Sequence, residues 1–143
     1  MIKVEKSVVI NKPIAAVFAF ATNGENTMKW QGGVELVQEE GPANVVGSRY
    51  TEVRKFLGQE MKTTLEITAF TPNAKWAAKV VKGPVPYEVT ITCEAQGGGT
   101  KVTTRVEGEP TGFFKIAEGM VASQLEKTLE ENGKLLKALL EAA

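Results

Sequence analysis

The segment TGFFKIAEGMVASQLEKTLEENGKLLKALLEAA, Thr111 to Ala143, reads as one long amphipathic helix. Apolar side chains recur at Phe113, Phe114, Ile116, Ala117, Met120, Val121, Leu125, Leu129, Leu136, Leu139 and Leu140, mostly at the spacing that lines one helix face. Glu118, Glu126, Lys127, Glu130, Glu131, Lys134, Lys137 and Glu141 take the other side. Such a helix is on the order of 40 Å long, enough to cross a small domain. Its stripe must be buried, and the only partner available is the strand-rich body that precedes it. That pairing predicts a hollow gripped by a helix, and a hollow predicts a ligand.

Upstream, the chain is built of strands joined by tight turns. Residues 2 to 10 form a first strand, and Asn11-Lys12-Pro13 reads as a helix start, with Asn11 as cap. Ile14, Val17, Phe18 and Ala21 give a short helix. A polar stretch follows, with a second short helix near Met28 and Trp30, and Gly32-Gly33 breaks it. Strands then follow over 34–39, 47–57, 60–70, 75–81, 87–95 and 100–107. Their turns fall at Gly58, Thr71-Pro72-Asn73, Gly83-Pro84 and Gly97-Gly98-Gly99. Sequential strands with tight turns predict an antiparallel sheet, and 143 residues without a linker or repeat predict one α+β domain, residues 1–143.

Composition narrows the chemistry. Seventeen basic and seventeen acidic residues give no net charge, so nothing favours nucleic acid or an anionic membrane as partner. No apolar run is long enough to span a bilayer, and the N-terminus lacks a signal peptide's layout. The single Cys93 fits a reducing cytoplasm and reads as a small buried hydrophobe. The chain has neither His nor Asp, which removes metal sites built on His and Ser-His-Asp triads. No metal or cofactor is expected, and any catalysis must use Glu, Lys, Tyr, a hydroxyl or water.

Several motifs resemble a known superfamily. They are Val8, Ile10, Pro13, Val17, Phe18, Phe20 and Trp30 near the start, then YEVTITCEAQGGGTKVTTRVEGEP from Tyr87 to Pro110, followed by Gly112-Phe113-Phe114 and the terminal helix. The whole chain resembles the START/Bet v 1-like (SRPBCC) superfamily, in particular its polyketide cyclase/dehydrase and lipid-transport branch. The resemblance implies a helix-grip fold: a curved antiparallel sheet of about seven strands wrapped around a long C-terminal helix, with two short helices after the first strand. It also implies an internal cavity. The chain departs from relatives that carry Rieske-type Cys and His ligands, and its Gly41–Gly47 segment is too poor in glycine to match the plant members' loop. Fold alone does not choose among binder, enzyme and chaperone-like module.

Alternation assigns faces. Tyr87, Val89, Ile91 and Cys93 share one side of their strand, and Met61, Thr63, Leu65, Ile67 and Ala69 share one side of theirs; both sets should face the helix. The pocket is therefore expected to draw on Trp30, Tyr50, Leu65, Ile67, Trp76, Tyr87, Val89, Ile91, Phe113, Ala117, Met120, Val121, Gln124, Leu125 and Thr128. A phenol buries its ring and still offers one hydrogen bond, so Tyr50 and Tyr87 serve either pocket or core. Trp30 is either a gate or packing. Gln124, Thr128 and Asn132 repeat every four residues and either anchor a ligand head group or mark the boundary with water.

For the strand charges Arg49, Glu52, Arg54, Glu66, Glu88 and Arg105, the expectation is a solvated outer face, since charged residues are seldom buried. Glu66 and Glu88 alternate with inward apolar sets and should point out. Gly119 is expected to admit a close approach of sheet or ligand. The leading function is binding of a small hydrophobic ligand, lipid or polyketide-like, entering near Trp30 and Gly83–Pro86. The alternatives are a cyclase or dehydratase using Tyr or Glu, and a module that binds a protein partner. A buried Glu or Arg in the cavity favours the enzyme, a wholly apolar cavity favours carriage, and a filled core with an exposed apolar patch favours the interaction module.

Overall fold

The computed structural model describes residues 1–143, with every side chain except that of Phe113. Strand β1 (Ile2–Ile10) leads into α1 (Ile14–Thr22), a single 3-10 turn (Gly24–Asn26) and α2 (Thr27–Trp30). Six strands follow: β2 (Val34–Glu40), β3 (Arg49–Phe56), β4 (Gln59–Thr71), β5 (Lys75–Lys82), β6 (Tyr87–Gln96) and β7 (Gly99–Gly108). The chain closes with α3 (Phe113–Ile116) and α4 (Glu118–Glu141). All seven strands form one antiparallel sheet in the order β1-β7-β6-β5-β4-β3-β2, curved around α4 in the helix-grip arrangement. No helix among the described residues is long and apolar enough to cross a membrane.

Turn chemistry fixes the register. Leu57 and Gly58 both have positive φ, as do Gly97 and Gly98, and each pair links strands whose flanking residues face each other directly. Two positive φ values in a two-residue loop match the right-handed twist of the strands and so close a hairpin without slippage. One slipped residue would turn each apolar set to the wrong face.

The terminal helix corrects the expectation of one uninterrupted element. It is broken at Ala117, whose backbone is not helical, so a single turn (α3) precedes the long α4. The break turns part of the apolar stripe out of the core: Ile116 is 90% exposed and Met120 61%. Val121, Leu136 and Leu140 are buried as the spacing requires. Helix α4 runs parallel to β1, its chief partner. Lys6 pairs with Glu126, Lys137 Nζ donates to the Val9 carbonyl at 2.8 Å, and the Asn11 N–H donates to Glu141 at 2.8 Å. Asn11 therefore ties the far end of α4 through its backbone. Its side chain does not cap α1, which starts after Pro13 without a side-chain cap.

Buried side chains form two groups. The larger centres on Ile10, Val17, Phe18, Leu65, Ile67, Ile91 and Leu136, and the smaller on Ile2, Val4, Met61, Phe114 and Val121. Both contribute walls to one cavity under α4.

Candidate functional site

The cavity measures about 450 Å³. Most of its wall is apolar, but one strand brings charge inside. On β3 the inward parity is Tyr50, Glu52, Arg54 and Phe56, and all four line the cavity. Glu52 is only 3% exposed. This overturns the outward assignment of Glu52 and Arg54. The signal was present: both share the parity of Tyr50, already a pocket candidate. General reluctance to bury charge outweighed it, yet a buried charge is tolerated when it is paired and hydrogen-bonded.

The pair is built as a fork. Arg54 Nε donates to Glu52 Oε1 and Nη2 to Glu52 Oε2, each at 3.2 Å. Nη2 also donates to Gln31 Oε1 at 2.9 Å, which anchors the residue just after α2 to the middle of β3. From β6, the Tyr87 hydroxyl donates to Glu52 Oε1 at 3.3 Å. Three strand spacings separate β3 from β6, roughly 14 Å on a flat sheet. Curvature and long side chains bring the two residues together. Such a pair contributes little net stability, because desolvation offsets much of the attraction.

Electrostatics follow from this crowding. Burial, reinforced by Glu52, pushes the Tyr87 phenol well above its ordinary range. Burial also raises Tyr50, with further contributions from Glu52 and Tyr87 and partial relief from Arg54. Burial opposes the Arg54 charge, but Glu52 and the two phenols outweigh it and hold the guanidinium above its usual value. Both tyrosines are thus neutral hydrogen-bonding groups at physiological pH.

Of the other expected pocket residues, Trp30, Leu65, Ile67, Trp76, Val89, Ile91, Val121, Gln124, Leu125 and Thr128 also line the cavity. Ala117 does not; it packs against the smaller core group. Met120 faces away, turned out by the break at Ala117. The Phe113 side chain lies outside the described residues. Gln124 Nε2 donates to Thr128 Oγ1 at 3.1 Å, so two polar groups of α4 reach the wall as a linked pair. Asn132 lines the wall as well and accepts from the Gly32 N–H at 2.9 Å. Glu66 and Glu88 lie off the cavity, Glu66 beside Arg49 on the outer face.

The rim carries exposed Gly32, Gly33, Pro42, Ala43 and Glu131, whereas the Gly83–Pro86 loop contributes only Val85. Asn44 fixes the rim: its Nδ2 donates to the Thr22 carbonyl at 2.9 Å, and its Oδ1 accepts from Trp76 Nε1 at 3.1 Å. Trp30 is 3% exposed, and its Nε1–H has no partner among the described residues. Among the described residues no three His, Cys, Asp or Glu side chains converge as a metal-ligand group.

A curved sheet gripping a helix over a cavity with a small polar cluster defines a helix-grip protein. The sequence model of the family described as "Polyketide cyclase / dehydrase and lipid transport" matches residues 1–141, and the chain belongs to that family. Solved structures share the fold at low identity. TTHA0849 from Thermus thermophilus superposes with a TM-score of 0.85 at 19% identity, covering 98% of this chain and 97% of that one. A START superfamily protein from Mycobacterium smegmatis gives 0.80 at 15% identity, covering 98% and 97%. Ara h 8.0201 gives 0.75 at 14% identity, covering 99% and 98%. No curated protein sequence matches the chain.

Proposed function

We propose that the protein binds one small, largely hydrophobic molecule in the cavity between sheet and α4. The observation that carries this reading is a cavity of about 450 Å³ with mostly apolar walls and one polar cluster, Glu52, Arg54, Tyr87 and Gln31. Ligand sites commonly have this size and this division of labour. Apolar burial drives binding at about 25 cal/mol per Å², and the few polar groups set orientation. Helix α4 is a wall of the site, and the rim near Gly32 and Pro42 is the entrance.

One observation favours a second reading, a cyclase or dehydratase: the cavity holds a buried Glu and Arg, with two tyrosines beside them. Such chemistry needs a base to take a proton and a donor to polarise a carbonyl. Tyr50 suits the donor role, being neutral, whereas the Tyr87 proton is already donated to Glu52. Glu52 is a poorer base, since its Oε1 already accepts from both Arg54 and Tyr87. Binding is therefore the first reading. A protein-interaction module has less support, because the core under α4 is open rather than filled.

Native mass spectrometry on protein purified gently from its host, followed by denaturing extraction, tests the reading. A discrete adduct of small-molecule mass, lost in Val89→Trp where the indole fills the cavity, is the expected result. A clean mass, together with no thermal shift across lipids and aromatic ketones, would count against ligand binding. Incubation with a ketone chain then separates the first two readings. Recovery of the chain unchanged supports carriage, and loss of water or ring closure supports the enzyme.

A further inference from the structure

We propose that Glu52 makes the cavity select uncharged, carbonyl-bearing ligands and reject carboxylates. The inference rests on the cavity being the ligand site. Its basis is an inventory of what the protein leaves unpaired there.

Charge comes first. Among the described residues the lining holds three acidic side chains, Glu39, Glu52 and Glu131, and three basic ones, Arg49, Arg54 and Lys55. The inward cation, Arg54, is already held by both oxygens of Glu52. Arg49 is turned to Glu66 on the outer face. Lys55 is exposed at the rim, where water screens it and where Glu39 and Glu131 supply the opposite sign. A carboxylate entering the cavity thus finds no buried cation without a counter-ion among the described residues and meets the Glu52 charge at close range. Like charges brought together away from water are strongly disfavoured.

Hydrogen-bonding capacity comes second. The amide oxygens of Gln31, Asn44 and Asn132 are each engaged, by Arg54, Trp76 and the Gly32 N–H. Donors are left over. Arg54 bonds through Nε and Nη2, and its Nη1 has no partner among the described residues. The Trp30 Nε1–H has none either, but it is buried behind the cavity surface, so Arg54 Nη1 is the donor of the two that a ligand reaches. A ligand with neutral acceptors fills this surplus, and ketone, ester or quinone oxygens are such acceptors. The amide oxygen of Gln124 is the exception, a free acceptor on α4 that a hydroxyl on the same ligand would satisfy.

The test uses the full chain and three ligands of one ten-carbon chain: methyl ketone, primary alcohol and carboxylate. Each displaces the uncharged fluorophore phenylnaphthylamine at pH 8, where the acid is ionised. The expected result is ketone binding at least about tenfold tighter than carboxylate. Glu52→Gln leaves Arg54 without its counter-charge, so carboxylate affinity should rise about tenfold while ketone affinity moves less. Arg54→Gln should weaken carboxylate binding further.

Fluorophore binding with no preference for ketone over carboxylate would overturn the inference alone. Failure of the fluorophore to bind would overturn the cavity as ligand site, and the inference with it. An unchanged preference in folded Glu52→Gln would remove the role given to Glu52. Should that variant fail to fold, the wild-type ratio still decides.

Discussion

The Gly32 backbone N–H donates to Asn132 Oδ1 at 2.9 Å, joining the turn after α2 to the middle of α4. Asn132 is buried in the helix face, and Gly32 adjoins Gln31, which holds Arg54. One hydrogen bond thus couples the gripping helix to the polar cluster. Asn132→Ala should lower stability by about 1–3 kcal/mol, the usual cost of leaving a partly buried donor unpaired. Urea denaturation checks the magnitude, and faster hydrogen exchange at the Gly32 amide checks the cause. An unchanged midpoint would mean that water replaces the bond freely.

The chain's two tyrosines, Tyr50 and Tyr87, both have pKa values raised chiefly by burial. A phenol raised above its unfolded value, about 10, adds stability that is fully present below that pH. The contribution is lost as pH climbs towards the folded value. Alkaline titration followed by ultraviolet difference absorbance should therefore show no phenolate near pH 10 in the folded protein. Phenolate should appear only with loss of far-ultraviolet circular dichroism. A normal titration that precedes unfolding would mean that the cluster is open to water.

The succession of strands along the chain, their turns and the grip of α4 were legible because each rests on a local signal. The pairing of β1 with β7 joins the two ends of the sheet-forming chain and has none. Gly58 and Gly97-Gly98 mark hairpins, and Leu136 and Leu140 keep helical spacing. The inward parity of Tyr87, Val89 and Ile91 came from simple alternation. The charged centre was misread because the rule that charges are seldom buried outweighed the parity that joins Glu52 and Arg54 to Tyr50. What holds the pair inward is long-range: Arg54 donates to Gln31, and Glu52 accepts from Tyr87, 35 residues away. Ile116 and Met120 failed for a different reason. The break at Ala117 shifts the helical phase, and hydrophobic periodicity cannot register a break that no Pro marks.

Cys93 is buried on β6, and desolvation pushes its thiol up to about 11. The thiolate is the reactive form, so alkylation or disulfide exchange at pH 8 should be slow and should follow the protein's opening. The linkage has a definite sign: stability from the neutral thiol is complete below the unfolded value, about 8.5, and is lost as pH approaches 11. Labelling in native buffer against labelling in urea measures the protection. Equal rates would place the thiol in reach of solvent.

At the far end of α4, Glu141 accepts from the Asn11 N–H and from Lys137, and these contacts lower its pKa. A depressed carboxyl adds stability that is present above its unfolded value and is lost as pH falls through its folded value. Glu141→Gln should therefore flatten the fall in stability on the acid side, below about pH 4.5, while changing little above it. Chemical denaturation of both proteins across that window reads the difference. Parallel pH curves would mean that the contact at Asn11 does not hold the helix end.

Gly119 lies in the first turn of α4, and a Cβ built there meets nothing within 4 Å, so no close approach of sheet or ligand requires a glycine. Its effect is confined to backbone entropy, which makes glycine costlier than alanine in a helix. Gly119→Ala should raise stability by about 0.5–1 kcal/mol. Gly99 provides the contrast: a Cβ there would stand 2.5 Å from the Ile10 carbonyl oxygen, against rigid backbone. Gly99→Ala should therefore destabilise, by at least about 1 kcal/mol, because β7 must shift away from the end of β1. Thermal melts of the two variants give opposite signs if backbone entropy governs one site and steric fit the other. A loss of stability in Gly119→Ala would point instead to a contact made by α4 in the assembled or ligand-bound protein.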